Sequence, residues 1–253
     1  MLTDVVGVIP ARMGSSRFPG KPIALLLGQP MIFHVWQRSN LSGVLDRIVI
    51  ATCDEEIRDV AEGFGAEVVM TSSSHERSND RVAEVAQKLQ CNNILNIQGD
   101  EPMVHPQLIK DVVSALDINP DYQCVNPISE LTSDDEIQSP NTVKVVANLL
   151  DRVVYFSRYP IPSALVNERT FPVMRQVPIL GFRSEFCIKL TELNPGPLEL
   201  QEGIDLLRAI EHDLPVHVMR TDFQTFGVDT KDDKLIVEGY LKTDVITSKY
   251  MDV

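Results

Sequence analysis

An apolar run of six residues, Val5 to Pro10, passes straight into a turn of small residues and cations, VVGVIPARMGSSRFPGKP over 5–22. The run reads as a short buried strand. Gly14, Ser15, Ser16 and Gly20 then loosen the chain, while Arg12, Arg17 and Lys21 charge it. A glycine-bearing turn at the carboxyl end of a strand aims backbone N–H groups outward, where they and the cations can meet phosphate oxygens. The whole chain carries 23 Lys and Arg against 36 Asp and Glu, a formal charge of −13, so three cations and one acid, Asp4, before residue 22 reverse the local sign. The competing reading is an ordinary surface turn with solvated charges. The loop is not a Walker A motif, because Pro22 follows Lys21 where Ser or Thr would hold magnesium. Nor is it the GxGxxG dinucleotide fingerprint, whose second glycine is missing.

Downstream, strand and helix patterns alternate. Met31–Ser39 is apolar at helical spacing, Arg47–Thr52 is a buried-type strand, Glu55–Phe64 is a helix stopped by Gly65, and Glu67–Met70 is a strand. This alternation predicts a mostly parallel, Rossmann-like sheet flanked by helices, with right-handed crossovers. The polar stretch Thr71–Asn79 leads to a helix over Asp80–Leu89 that Ser78 or Asn79 can cap. A strand at Asn93–Ile97 delivers Gln98, Gly99, Asp100, Glu101 and Pro102 at its carboxyl end, where open α/β sheets bind ligands. A helix is expected over Pro106–Leu116. From Cys124 the pattern loosens. Asn141–Ala147 and Asp151–Ser157 read as antiparallel strands joined at Asn148–Asp151, and Pro160, Pro162 and Pro172 mark an irregular excursion. A strand at Val177–Phe182, helices at Ser184–Leu193 and Ile204–His212, a strand at Val216–Thr221 and a helix from Thr230 complete the reading. The chain is therefore expected to be one domain over 1–253, with a smaller antiparallel lobe at about 123–182 suited to a dimer contact and a substrate pocket.

Several classes are excluded or disfavoured. With 43% hydrophobic residues, the 253-residue chain has enough apolar material for a sizeable core. No stretch approaches the roughly 18 apolar residues of a membrane span, and no basic-then-apolar leader is present, so a cytoplasmic protein without membrane contact is expected. Cys53, Cys91, Cys124 and Cys187 form no CxxC pair, and the five histidines show no ligand spacing. The acidic balance argues against nucleic acid as a partner, which needs a basic face.

Two aspartates occupy tight backbone positions: Asp100 after Gly99, and Asp229 between Gly227-Val228 and a helix start. An Asp before a helix is often only a cap. Beside a cationic phosphate loop, though, one or two carboxylates are what magnesium needs to hold a nucleoside triphosphate, the other positions going to phosphate and water.

PARMGSSRFPGKP at 10–22, NIQGDEP at 96–102, PNTVKVV at 140–146, YFSRYPIP at 155–162 and GVDT at 227–230 together resemble the successive signature blocks of 3-deoxy-manno-octulosonate (Kdo) cytidylyltransferases, the CMP-Kdo synthetases. The resemblance runs in order over nearly the whole chain. It implies a nucleotidyltransferase, a cytoplasmic homodimer in a lipopolysaccharide-making bacterium, that joins CTP to an acidic 3-deoxy-2-ketosugar and releases pyrophosphate. By this analogy Arg12, Ser16, Arg17 and Lys21 hold the triphosphate. Gln98, Asp80 and Arg81 lie at the nucleotide, and Asp100 and Asp229 bind Mg2+. Arg12, Lys21, Asp100 and Asp229 are the catalytic set, and Arg158, Gln176 and Asp205 meet the sugar.

The departures from the family pattern fall on the sugar side. Ser78-Asn79 replace Gly-Thr; Gln176, Pro178 and Leu180 stand where His-x-Gly-x-Tyr is expected; and Asp205 and Leu206 replace an acid and an amide. Leu165 takes the place of a second arginine, for which Arg169 or Arg175 could compensate. Two acceptors are thus open, Kdo itself and a modified analogue such as 8-amino-Kdo. Alternatives are a spore-coat-type polysaccharide cytidylyltransferase and an inactive nucleotide-binding protein.

Overall fold

The computed structural model describes residues 5–14, 17–164, 166 and 171–252. Its first half is β1 (Val5–Pro10), a two-residue hairpin β2 (Leu25–Leu26) and β3 (Gln29–Pro30), α1 (Met31–Asn40), β4 (Arg47–Thr52), α2 (Glu55–Gly63), β5 (Glu67–Met70), α3 (Ser78–Leu89), β6 (Asn93–Ile97) and α4 (Pro106–Ile118). The second half is β7 (Cys124–Leu131), α5 (Asp134–Gln138), β8 (Lys144–Ala147), β9 (Val153–Ser157), β10 (Val173–Gln176), β11 (Ile179–Arg183), α6 (Ser184–Glu192), α7 (Pro197–Glu202), α8 (Leu207–Glu211), β12 (His217–Arg220) and α9 (Lys231–Leu241).

Ten strands form one sheet in the order β5-β4-β1-β6-β11-β7-β10-β8-β9, with β12 beside β7. The β5-β4-β1-β6 part is parallel, as the strand-helix alternation predicts. From β11 onward the pairing is antiparallel, except for β12 against β7. The antiparallel strands read from 141–157 thus extend the main sheet.

All six residues of β1 are buried, because helices cover both faces of the parallel part. The two-residue period of the strand divides the core. Val6 and Val8 pack with α3 and α6 residues such as Val82, Val85 and Phe186. Val5 and Ile9 pack with Ile32, Val35 and Ile57 of α1 and α2 and with Leu108 and Val112 of α4. The carboxyl ends of β1 and β6 share one edge of the sheet, and the turns that follow them build the site.

Several boundaries differ from the sequence reading. β7 was hidden by Pro127, Asn126 and Ser129, which break the apolar run; Asn126 is accommodated because its amide donates to the carbonyls of Val177 and Ile179. The strand expected at 177–182 is β11, which starts only after Pro178 because proline has no N–H to give to a ladder, and β10 precedes it where no strand was anticipated. Ile204–Leu206 form a turn ahead of α8, whereas the sequence suggested continuous helix. α3 begins at Ser78, and neither Ser78 nor Asn79 caps it: the backbone N–H of Arg77 donates to Asp80 Oδ2 at 3.1 Å.

Candidate active site

The turn after β1 folds back on itself. Gly20 N donates to the Met13 carbonyl at 3.1 Å, and Gly20 adopts φ 71°, a left-handed conformation that glycine takes without steric cost. That reversal starts a short 3₁₀ turn, Lys21–Ile23, and swings the Lys21 side chain over the ends of β1 and β6. Lys21 Nζ lies 2.7 Å from Asp100 Oδ2 and 3.2 Å from Asp229 Oδ1. Arg17 pairs with the other Asp229 oxygen at 3.0 Å and donates to Asn141 Oδ1 at 3.3 Å. Burial alone would lower the Lys21 pKa; its ion pairs with Asp100 and Asp229 outweigh that and hold it above the usual lysine value.

Two cavities meet here. The first, of about 300 Å³, is lined by Arg12, Arg17, Lys21, Arg77, Arg81, Gln98, Asp100 and Asp229, with Gly14 and backbone from both turns. Four arginines and a lysine make it an anion receptor within an acidic protein. The second, of about 490 Å³, takes in Asn79, Glu101, Arg158, Gln176, Asp205 and an apolar wall including Val143, Pro178, Leu180 and Leu206. Arg77, Ser78, Gln98, Asp100 and Asp229 border both, so the two aspartates stand at the junction.

The anticipated residues divide into those aimed at open space and those engaged with neighbours. Arg12 is exposed on the first cavity. Gln98 is fixed by its amide nitrogen, which donates to Ser78 Oγ and Asn96 Oδ1 at 3.1 and 3.3 Å. Arg81 is buried, and its guanidinium donates to Thr71 Oγ1, the Ser72 carbonyl and Cys53 Sγ, so it stiffens the wall. Asp80 requires correction: it lines neither cavity, because its carboxylate caps α3. Ser16, Leu165 and Arg169 lie outside the described residues.

In the second cavity Gln176 donates to Asn126 Oδ1 at 3.0 Å. Arg158 is held by the carbonyls of Glu202 and Pro140, and its backbone N–H by Glu202 Oε2, all at 2.8 Å. Beneath it the fully buried Lys144 donates to the carbonyls of Ser139, Thr142 and Arg158, each at 2.7 Å. Asp205 is pushed up to about 6 by burial, against the pull of Arg77. Its contacts are long: Arg77 Nε at 3.6 Å and Asn79 Nδ2 at 3.4 Å. Arg175 lines neither cavity; it donates to Thr225 Oγ1 at 3.2 Å and faces Glu136 at 3.6 Å, so it does not supply the missing arginine.

Sequence reasoning gave no role to Arg77, Lys144 and Glu202, and placed Glu101 in the turn after β6 without assigning it one. A cation just ahead of a helix at the carboxyl edge of the sheet was the available signal for Arg77, and the PNTVKVV block was the one for Lys144; Glu202 carried none. Glu101 is buried, and burial, with the neighbouring Asp100 charge, holds its carboxyl well above the usual range.

One ammonium already reaches both Asp100 and Asp229, so the pair can face a common cation. Among the described residues no third acid, histidine or cysteine joins them. Two carboxylates with room for phosphate oxygens and water are a magnesium-type donor set, to which the residues present therefore fit.

A cationic turn and two aspartates thus meet at the carboxyl edge of the parallel part of the sheet, with a second polar cavity across them. The family model for cytidylyltransferases matches residues 6–216. The mitochondrial 3-deoxy-manno-octulosonate cytidylyltransferase of Arabidopsis thaliana is 41% identical over 243 residues, covering 94% of this chain and 83% of that one. The enzyme of the same name from Syntrophotalea carbinolica is 38% identical, over 94% of this chain and 99% of its own. The solved structure of CMP:2-keto-3-deoxy-manno-octonic acid synthetase complexed with CTP superposes with a TM-score of 0.90 at 31% identity, covering 95% of this chain and 99% of that one. The chain belongs to the 3-deoxy-manno-octulosonate cytidylyltransferase family.

Proposed function

We propose that this chain couples CTP to Kdo, giving CMP-Kdo and pyrophosphate. The observation that carries the reading is the meeting of Lys21, Asp100 and Asp229 where the cationic cavity joins the second one. CTP occupies the first cavity, its triphosphate against Arg12, Arg17 and Lys21 and its nucleoside near Gln98. The sugar acid occupies the second, its carboxylate toward Arg158 and its hydroxyls toward Gln176 and Asp205. The anomeric hydroxyl of the sugar then forms a bond to the α-phosphorus as the bond to the bridging oxygen of pyrophosphate breaks on the opposite side. Positioning and charge neutralisation are the protein's main work in such a transfer. Lys21 and the arginines face the charge that develops on the leaving group.

Asp100 and Asp229 would hold Mg2+, which when bound neutralises phosphate oxygens and acidifies a hydroxyl brought to it. Pyrophosphate release with CTP and Kdo tests the reading: turnover with CTP well above that with ATP, GTP or UTP is expected, and none with CTP overturns it. An amino-substituted Kdo tested alongside decides the acceptor, since the cavity pairs an apolar wall with the half-buried Asp205. The same reading includes a homodimer. It is supported by exposed Leu149, Leu150 and Val154 on the β8–β9 hairpin at the sheet edge, and light scattering tests it. Its need for CTP suits the cytoplasm, which fractionation of the source cell would test.

A further inference from the structure

The turns that carry Asp100 and Asp229 come from distant parts of the chain, and two contacts besides Lys21 hold them together. The N–H of Val228 donates to the Asp100 carbonyl at 2.9 Å. Below that bond, the Glu101 carboxyl lies against Gly227: a Cβ added there would stand 2.6 Å from Glu101 Oε1 and 3.4 Å from its carboxyl carbon. Gly227 does not have a left-handed φ, so the position requires glycine for space and not for backbone freedom. Glu101 has little room to retreat. It is 7% exposed, its own N–H is bonded to the Gln98 carbonyl, and its carbonyl is bonded to the N–H of Val104. Its Oε2 is buried with no hydrogen-bond partner, so the carboxyl is not held there by a polar contact at that atom. Shape fixes it.

We propose that Glu101 is a positioning residue whose side chain, seated against Gly227, sets the distance between the Asp100 and Asp229 turns and so the affinity for the divalent cation. This rests on the reading that those aspartates hold the metal. It goes beyond that reading in assigning the spacing to a neighbour that does not touch the ion. The role is one of volume. An isosteric change should therefore be tolerated, a truncation should not, and a methyl group added at Gly227 should be relieved by a shorter acid at 101.

The test uses the full chain with CTP and Mn2+ as the spectroscopic probe, read by electron paramagnetic resonance, with calorimetry of CTP binding in the absence of metal. Glu101→Ala and Gly227→Ala are expected to weaken Mn2+ binding roughly tenfold, while metal-free CTP affinity stays within about twofold. Glu101→Gln should bind Mn2+ within about threefold of the wild type, and Gly227→Ala with Glu101→Asp should recover most of what Gly227→Ala loses, a coupling expected only between residues in contact. Unchanged Mn2+ affinity in Gly227→Ala, or no recovery in the double variant, overturns the positioning role. Equal losses in Glu101→Gln and Glu101→Ala also overturn it, because Glu101 would then act through charge. Wild-type protein that binds no Mn2+ with CTP overturns the metal reading, and this role with it. Glu101→Gln keeps the side-chain volume, so the comparison survives if the alanine variants fold poorly.

Discussion

Asp100→Asn separates the chemistry of the site from its stability. The substitution preserves shape and removes one charge from a cluster in which Lys21 Nζ sits 2.7 Å from Asp100 and 3.2 Å from Asp229. Lys21 keeps Asp229, and the Asp100 side chain is 36% exposed, so solvent screens the lost pair and the stability cost should be about 1 kcal/mol. Turnover is affected far more. If Asp100 supplies one of two carboxylates to the cation on the transferring phosphoryl group, its loss removes stabilisation specific to the transition state, on the order of 4 kcal/mol or 10³-fold in kcat. The assay is continuous pyrophosphate release at saturating CTP and Kdo over a magnesium series, beside a thermal melt of the same preparation. A folded variant whose kcat lies within about tenfold of the wild type, with unchanged magnesium dependence, would refute the assignment.

Three further outcomes follow from the structure. Asp80→Ala should cost roughly 1 kcal/mol by removing the α3 cap, with KM for CTP unchanged within about twofold; a large KM rise would restore Asp80 to the nucleotide site. Arg208→Met strands Glu199, whose side chain is 1% exposed and is bonded by Arg208 through two contacts of 2.7 Å, so denaturant melts should show a loss of roughly 3–5 kcal/mol. For Asp205 the folded pKa of about 6 lies above the unfolded one, so its contribution is fully present below the unfolded pKa and is lost as pH rises through about 6. Asp205→Asn should accordingly flatten the decline in stability between about pH 4 and 7, by an amount on the order of 1–3 kcal/mol given its partly exposed side chain; identical pH profiles would exclude it.

Much was legible in the chain itself. Strand-helix alternation through residue 116 follows from local apolar periodicity, which buries a stripe whatever lies beyond it. The cationic turn and the two aspartates stood out because glycine, charge and strand ends are local signals. The second half was harder. β7 depends on carbonyls from Val177 and Ile179 to satisfy Asn126, and α7 on a partner for Glu199 in α8.

By itself, then, the sequence determined a parallel α/β sheet, a cationic loop and two candidate metal ligands, because periodicity and turn chemistry act over a few residues. Only the tertiary structure decided which charges face open space. Arg77 enters both cavities while Asp80, three residues on, turns away to cap a helix. Gly227 and Glu101 meet although 126 positions separate their numbers in the chain. Such contacts are set by how two distant turns pack, and steric exclusion between them leaves no periodic trace in either segment.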